Sequence, residues 1–213
     1  MSLTALPDTP LRSRNGEPTV EVTAFFPAQG RWSESTYLDL TDDDGPRCEF
    51  VGGRLEPLPD ATDIELSIAD FLADQVKAVV GRWNVHPGGY RIRIRKAVPR
   101  EPNDFRYPDV IATLDRDGRG EKFATAATLV AEVVSGEASD RERDLVDKRR
   151  DYAEAGVPEY WVVDPEAVEV IVYRLAGRGY EEAARYGAGQ TAVSVAIDGF
   201  EVDIDELFAT PPE

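Results

Sequence analysis

The sequence predicts a single mixed α/β domain built around one sheet, with an added β-rich C-terminal part. Three observations predict it. Ile64, Ile68, Phe71, Leu72, Val76 and Val79 recur at spacings of three and four, which places one apolar face on a helix from Asp63 to Arg82. Thr128 to Val134 is nearly all apolar, the pattern of a strand buried on both faces. A second helical stretch over 140–155 stops at Gly156-Val157-Pro158 and leads into another apolar strand, Glu159 to Val163, giving strand, helix, strand.

The remaining elements follow in order. Residues 1–32 read as a flexible arm, from the Pro, Ser and Asn content of the stretch that ends at Pro18, leaving 33–213 as one domain. Ser33 to Leu40 reads as a short capped helix. Cys48–Val51 and Arg54–Leu58 form a hairpin on Gly52-Gly53. Asp63 caps the long helix and Gly81 lies near its end. Tyr90 to Val98 alternates, with Arg91, Arg93 and Arg95 on one face and Ile92 and Ile94 on the other. Arg106 to Leu114 is a second strand. Ser139 and Glu142 form a capping box for the second helix. Asp164 to Ala167 turns the chain into a strand from Val168 to Leu175, further short strands follow between glycines, and Asp203 to Phe208 is a last short helix.

Composition narrows the chemistry. One cysteine, Cys48, excludes a disulfide framework and a clustered Cys zinc site. One histidine, His86, excludes a His-based metal site within the chain and argues against a Ser-His-Asp triad. Carboxylates, Lys, Tyr or Ser are left to carry any reaction. The net charge of −17 argues against a protein that coats nucleic acid or anionic membrane. The charge is uneven: residues 1–70 carry 5 basic and 14 acidic side chains, residues 159–213 carry 3 and 12, and residues 71–158 carry 16 and 15. An anionic substrate is therefore expected on the middle of the chain. No segment approaches the roughly 18 apolar residues of a membrane span, and the N-terminus lacks a basic start followed by an apolar run, so a cytoplasmic protein is the expectation.

Four residues look chemical. Glu132 interrupts an apolar strand, where a carboxylate is costly unless satisfied. Asp109 follows a proline at the start of another internal strand, 23 residues earlier. Two acids on neighbouring strands make a hard-cation site with oxygen ligands suited to Mg2+; the alternative is a strand-end Asp cap and a Glu paired with a buried Arg. Lys148 shares a helix face with Leu145 and Tyr152, so it either meets an anion such as Glu132 or runs its stem out to water. Glu49 alternates with Val51 in its strand, and by itself reads as a solvated strand Glu rather than a site residue.

Four stretches in order resemble a known family: Cys48 to Leu55; Tyr107 to Val110; Leu129 to Ser135; and Asp147 to Pro165. Together they are similar to the Uma family of restriction-endonuclease-like proteins in the PD-(D/E)XK nuclease superfamily, over residues 33 to 208. The resemblance implies a restriction-endonuclease-like mixed sheet flanked by helices and a metal-dependent phosphodiesterase. It implies Asp109 and Glu132 as metal ligands, the carbonyl of Val133 as a third, and Glu49 as the acid from the N-terminal part of the site. The superfamily's usual lysine lies two residues after the Glu, where this chain has Val134; a lysine on the following helix takes its place, which points to Lys148, as the face argument does independently.

The leading expectation is a Mg2+-dependent DNA endonuclease, with Mn2+ as a substitute metal. Arg91, Arg93, Arg95, Lys96 and Arg100 give five basic residues without an acid over ten positions, a candidate phosphate track or else a solvated strand face. A homodimer is expected: the apolar Tyr160-Trp161 strand is followed by a β-rich tail that can cover a sheet edge or pair with a second copy, and the resemblance supports a dimer more than the residues do. The rival expectation is a catalytically silent nuclease-fold protein that binds protein partners, which the acidic ends would suit.

Overall fold

The computed structural model describes residues 27–41, 47–58, 60–95, 102–134, 141 and 143–209. Residues 1–26 of the expected arm, Lys96, Arg100 and the capping pair Ser139 and Glu142 lie outside the described residues.

Helix α1 (Glu34–Leu40) starts where Ser33 accepts the Thr36 amide, and Tyr37 is its buried anchor. Strands β1 (Cys48–Val51) and β2 (Arg54–Pro57) pair antiparallel around Gly52 and Gly53, both at positive φ, as a two-residue hairpin turn requires. At Gly53 a side chain would also sit 2.9 Å from the Gly30 carbonyl oxygen. The close approach is real: the amides of Gly30 and Trp32 both donate to Gly53 O, so the last residues of the expected arm lie against this hairpin.

Helix α2 (Asp63–Val80) is capped one residue earlier than expected, by Thr62 in a reciprocal capping box with Glu65. Ile68, Ala69, Leu72, Ala73 and Val76 form its buried stripe, and Gly81 at φ 88 ends it. Ile64 and Val79, at the two ends of the stripe the sequence predicts, stay exposed.

The expected single sheet is replaced by two main sheets. One has five strands in the order β2-β1-β5-β4-β7, the other six in the order β11-β10-β9-β8-β6-β3; a two-stranded ribbon pairs β12 with β13. The new strands are β3 (Val85–Pro87), β4 (Arg91–Ile94), β5 (Asp104–Arg106), β6 (Val110–Ala112), β7 (Phe123–Ala124), β8 (Leu129–Val133), β9 (Glu159–Asp164), β10 (Glu169–Ala176), β11 (Gly179–Tyr186), β12 (Thr191–Val193) and β13 (Glu201–Asp203). The division has a local cause. The chain pairs with itself antiparallel through β3 and β6, then again through β4 and β5, but four residues (88–91) face three (107–109) between the two ladders. That extra residue is a bulge. Gly88 and Gly89 take positive φ on one side of it, and Pro108, which has no amide hydrogen for a ladder, stands on the other. Both strands bend there and pass from one sheet to the other. The strand expected over 106–114 is thus two strands joined at the bend.

Helix α3 contains a π-helical turn (Arg143–Lys148) followed by α-helix (Arg149–Glu154), between β8 and its parallel neighbour β9. The short α4 (Ile204–Leu207) is capped by Asp203. Alternation sorts the six-stranded sheet into two faces. Val110, Leu129, Ala131, Val133, Trp161 and Val163 pack with α2 and the C-terminal ribbon. Ile111, Val130, Val134, Tyr160 and Val162 pack with Tyr152 and Val157 at the α3 side. Glu132 has the parity of Val130 and Val134, so it points toward α3.

Candidate active site at the bend between the sheets

The bend opens a cavity of about 880 Å3 whose lining includes Tyr107, Pro108, Asp109, Glu132, Val133, Asp144 and Lys148. Each element delivers its residue for a stated reason. Val110 pairs with Ala131, so continuing the antiparallel register by one residue sets Asp109 across from Glu132. The Asp109 carboxylate accepts the Val133 amide at 2.7 Å. Glu132, 1% exposed, receives the Lys148 ammonium at 2.8 Å and the Tyr152 hydroxyl on its other oxygen. The inward face Leu145–Lys148–Tyr152 expected for the helix is therefore the one that meets Glu132, and the alternative in which Lys148 reaches water does not hold, since Lys148 is 3% exposed.

Glu49 joins the cluster from behind. It is 1% exposed, accepts Arg106 Nη1 at 2.6 Å and the Tyr107 amide at 3.0 Å, and lies 3.9 Å from Lys148 Nζ. It is a buried group that holds the strand end just before Asp109, and it does not line the cavity. Arg106 in turn donates through Nε and Nη2 to Asp151 on α3.

Sequence reasoning missed Asp144, Arg106 and Asp151. Asp144 is 3% exposed; its Oδ1 lies 3.1 Å from Lys148 Nζ and 3.5 Å from Arg143 Nε, and has no aligned hydrogen bond among the described residues. Its spacing of four before Lys148 was the available signal. Arg106 carried none, because its partners come from distant parts of the chain.

The electrostatics follow from burial and numbers. Lys148 feels four carboxylates, Glu132, Glu49, Asp144 and Asp109. Burial alone would lower its proton affinity, but these anions outweigh burial and hold it charged. Burial drives Glu132 well above the usual carboxylate range; Lys148 opposes this and the Asp109 and Asp144 charges reinforce it. Burial likewise raises Asp109, against the pull of Lys148 and the Val133 amide. Burial would raise Glu49 too, yet Lys148 and Arg106 together bring it below its ordinary value. The cavity lining carries six acidic side chains and three basic ones, Arg47, Arg143 and Lys148.

Among the described residues no three His, Cys, Asp or Glu side chains stand together as a ready-made metal cage. The donor set nonetheless fits a hard cation. Asp109 and Glu132 are oxygen donors on one cavity wall, and Mg2+ takes one or two carboxylates and completes its shell with water and phosphate. The ammonium on Glu132 shows that positive charge is stabilised at that wall.

The expected phosphate track is placed elsewhere. Arg91 is buried, bonded to Thr41 and stacked over Tyr37 and Tyr107. Arg93 lies over Phe123, and Arg95 is exposed at the end of β4. None of the three lines the cavity, whereas Arg47 and Arg143 do.

Comparison with known proteins agrees with this architecture. A crystal structure from Anabaena variabilis ATCC 29413, described as "a putative nuclease belonging to DUF820", superposes with a TM-score of 0.61, covering 85% of this chain and 98% of that one. At 17% identity it shows the shared fold alone. No curated protein matches the chain. No helix among the described residues is long and apolar enough to cross a membrane. The family model Uma2, described as "Putative restriction endonuclease", matches residues 34–205, and the chain belongs to that family.

Proposed function

We propose that this chain is a metal-dependent endonuclease that hydrolyses DNA phosphodiester bonds, using Mg2+ or, in its place, Mn2+. The observation that carries the reading is the meeting of Asp109, Glu132 and Lys148 on one wall of a cavity built at the bend between two sheets. A bound Mg2+ would polarise the scissile phosphate and lower the pKa of a coordinated water. Asp109 and Glu132 would hold it, with the Val133 carbonyl as a third donor.

The chain's own groups do the rest. Lys148 presents a permanent positive charge to the attacking water or to charge developing on the phosphate. Glu49 and Arg106 fix the Tyr107-Pro108 segment and so the position of Asp109. Arg47 and Arg143 supply positive charge at the cavity for the phosphate backbone, and Arg95 lies farther along β4 for outer contacts. Joining two copies would bring together two near-neutral middle segments and ease the repulsion between DNA and a chain of charge −17.

The same charge favours the rival reading, a silent nuclease-fold protein that binds a protein partner. Incubating plasmid with the protein and Mg2+, with and without chelator, separates the two. Chelator-sensitive nicking or linearisation that Asp109→Ala removes is expected; intact plasmid across Mg2+ and Mn2+ would favour the silent protein.

A further inference from the structure

Lys148 Nζ has two close carboxylate neighbours, Glu132 at 2.8 Å and Asp144 at 3.1 Å, and a more distant one, Glu49, at 3.9 Å. The three are not equally available. Glu49 is committed to Arg106 and to the Tyr107 amide. Glu132 is shared between Lys148 and Tyr152. Asp144 is as buried as Lys148 and lines the same cavity, and its Oδ1, already 3.1 Å from the ammonium and 3.5 Å from Arg143 Nε, has these ion-pair contacts but no aligned hydrogen bond among the described residues. A buried acceptor left without a hydrogen bond is costly, so such an atom in a native site calls for an explanation.

We propose that Asp144 is a positioning residue that receives the Lys148 ammonium when a divalent cation takes Glu132. This rests on the metal-dependent reading of the site. As the pocket stands, the ammonium is the cation that Glu132 holds. A metal ion on Glu132 repels that ammonium, which must then leave its carboxylate without leaving the low-dielectric pocket. Asp144 lies one turn before Lys148 on the same helical segment, so it travels with it, and the two distances differ by so little that a small change of side-chain torsion transfers the contact. The transfer keeps Lys148 charged, keeps it in the cavity, and turns its existing ion pair with Asp144 Oδ1 into an aligned hydrogen bond.

The test is a cycle of Mn2+ affinities measured by calorimetry on the full chain. Removing the competing ammonium with Lys148→Met is expected to tighten binding about tenfold. Removing its refuge with Asp144→Asn is expected to weaken binding about tenfold, because the ammonium then stays on Glu132. In the Lys148→Met background the Asp144→Asn change is expected to fall to about twofold or less, and Asp144→Glu is expected to restore wild-type affinity. An Asp144→Asn effect of equal size in both backgrounds would mean that Asp144 acts on the cation directly, and would overturn the proposal. If the wild type binds no Mn2+, the metal reading itself falls and this inference falls with it, an outcome distinct from normal binding that ignores Asp144. A second measurement needs no variant: the side-chain ammonium resonance of Lys148 is followed as diamagnetic Mg2+ is added. A protected signal that shifts on saturation is expected; a signal unchanged at saturating Mg2+ would leave the ammonium on Glu132 and refute the transfer.

Discussion

Arg106 Nη1 lies 2.6 Å from Glu49 Oε2, and neither side chain is more than 2% exposed. The pair ties β1 to the end of β5 at the residue before the bend, and Arg106 extends the tie to Asp151 on α3. Three elements behind the cavity therefore share one guanidinium. Removing one member of a buried pair costs about 3–5 kcal/mol when the other is left uncompensated, and because Arg106 keeps Asp151 the lower end applies here. Glu49→Gln is expected to lower stability on that scale in urea titrations at neutral pH. The folded-state pKa of Glu49 is depressed, so its contribution is fully present above the unfolded value of 4.5 and is lost as pH falls through the lower folded value. The gap between wild type and Glu49→Gln should accordingly close in acid. A gap that stays constant down the acid range would mean that the carboxylate charge of Glu49 is not what stabilises the bend.

The metal reading makes its own demand on Asp109. Its carboxylate is buried, faces the cavity, and bonds the Val133 amide, so part of its role is structural. Asp109→Ala is expected to abolish Mn2+ binding seen by calorimetry while the protein remains folded, with a stability loss of about 1–3 kcal/mol from the orphaned Val133 amide. Asp109→Asn, which can still accept that amide, is expected to recover most of the stability and none of the binding. Unchanged Mn2+ affinity in either variant would remove Asp109 from the metal site.

Tyr152 supplies a smaller, cleaner probe. Its hydroxyl is the donor to the Glu132 oxygen that Lys148 does not hold. Tyr152→Phe keeps the ring against Tyr160 and deletes that donor. Glu132 is then left short of one hydrogen bond in a buried place, and stability should fall by about 1–3 kcal/mol. Added Mn2+ should return part of the loss, because the cation satisfies the same carboxylate. A melting temperature equal to wild type with and without metal would show that the Glu132–Tyr152 contact is energetically idle.

Much of this site was legible in the sequence, and what was not has a physical reason. Glu132 announced itself as a charge in an apolar strand, and Lys148 as a charge on the face of Leu145 and Tyr152; both patterns are local and periodic. The hairpin at Gly52-Gly53 and the helix stop at Gly156 were equally plain, because positive φ needs a residue without a Cβ. The two-sheet arrangement was not visible. It depends on a one-residue mismatch between segments some twenty residues apart, and neither segment alone records the count. Arg91 misled for a related reason. Alternation placed it correctly on a face opposite Ile92, but only the packing of α1 and Tyr107 shows that this face is covered. Asp144 was passed over because an acid on a charged helix looks solvated until its neighbours are in place.

The sharpest expectation concerns Lys148→Met. The change keeps an apolar stem and deletes the ammonium that faces Glu132, Asp144, Glu49 and Asp109. Without it these buried carboxylates repel one another, so the metal-free variant is expected to lose about 3–5 kcal/mol at neutral pH. The pH dependence has a definite sign. Glu132 already binds its proton more tightly in the folded state, from burial first and from the neighbouring carboxylates as well, and removing Lys148 raises its pKa further. A carboxylate whose folded pKa lies above its unfolded value of 4.5 favours folding at low pH, and that advantage disappears as pH rises through the folded pKa. The variant should thus approach wild-type stability in acid and fall away toward neutrality. Saturating Mg2+ should restore the fold at neutral pH, since the metal replaces the lost positive charge. Under that condition the two roles of the lysine separate. If Lys148 acts on the reaction, single-turnover plasmid cleavage by the refolded, metal-loaded variant stays about 10²-fold or more below wild type, the scale seen for loss of one electrostatic stabiliser. Arg149→Met, on a neighbouring face over Tyr173, should cleave normally in the same assay. Cleavage that returns to the wild-type rate once Mg2+ restores the fold would confine Lys148 to neutralising Glu132 and take it out of the mechanism.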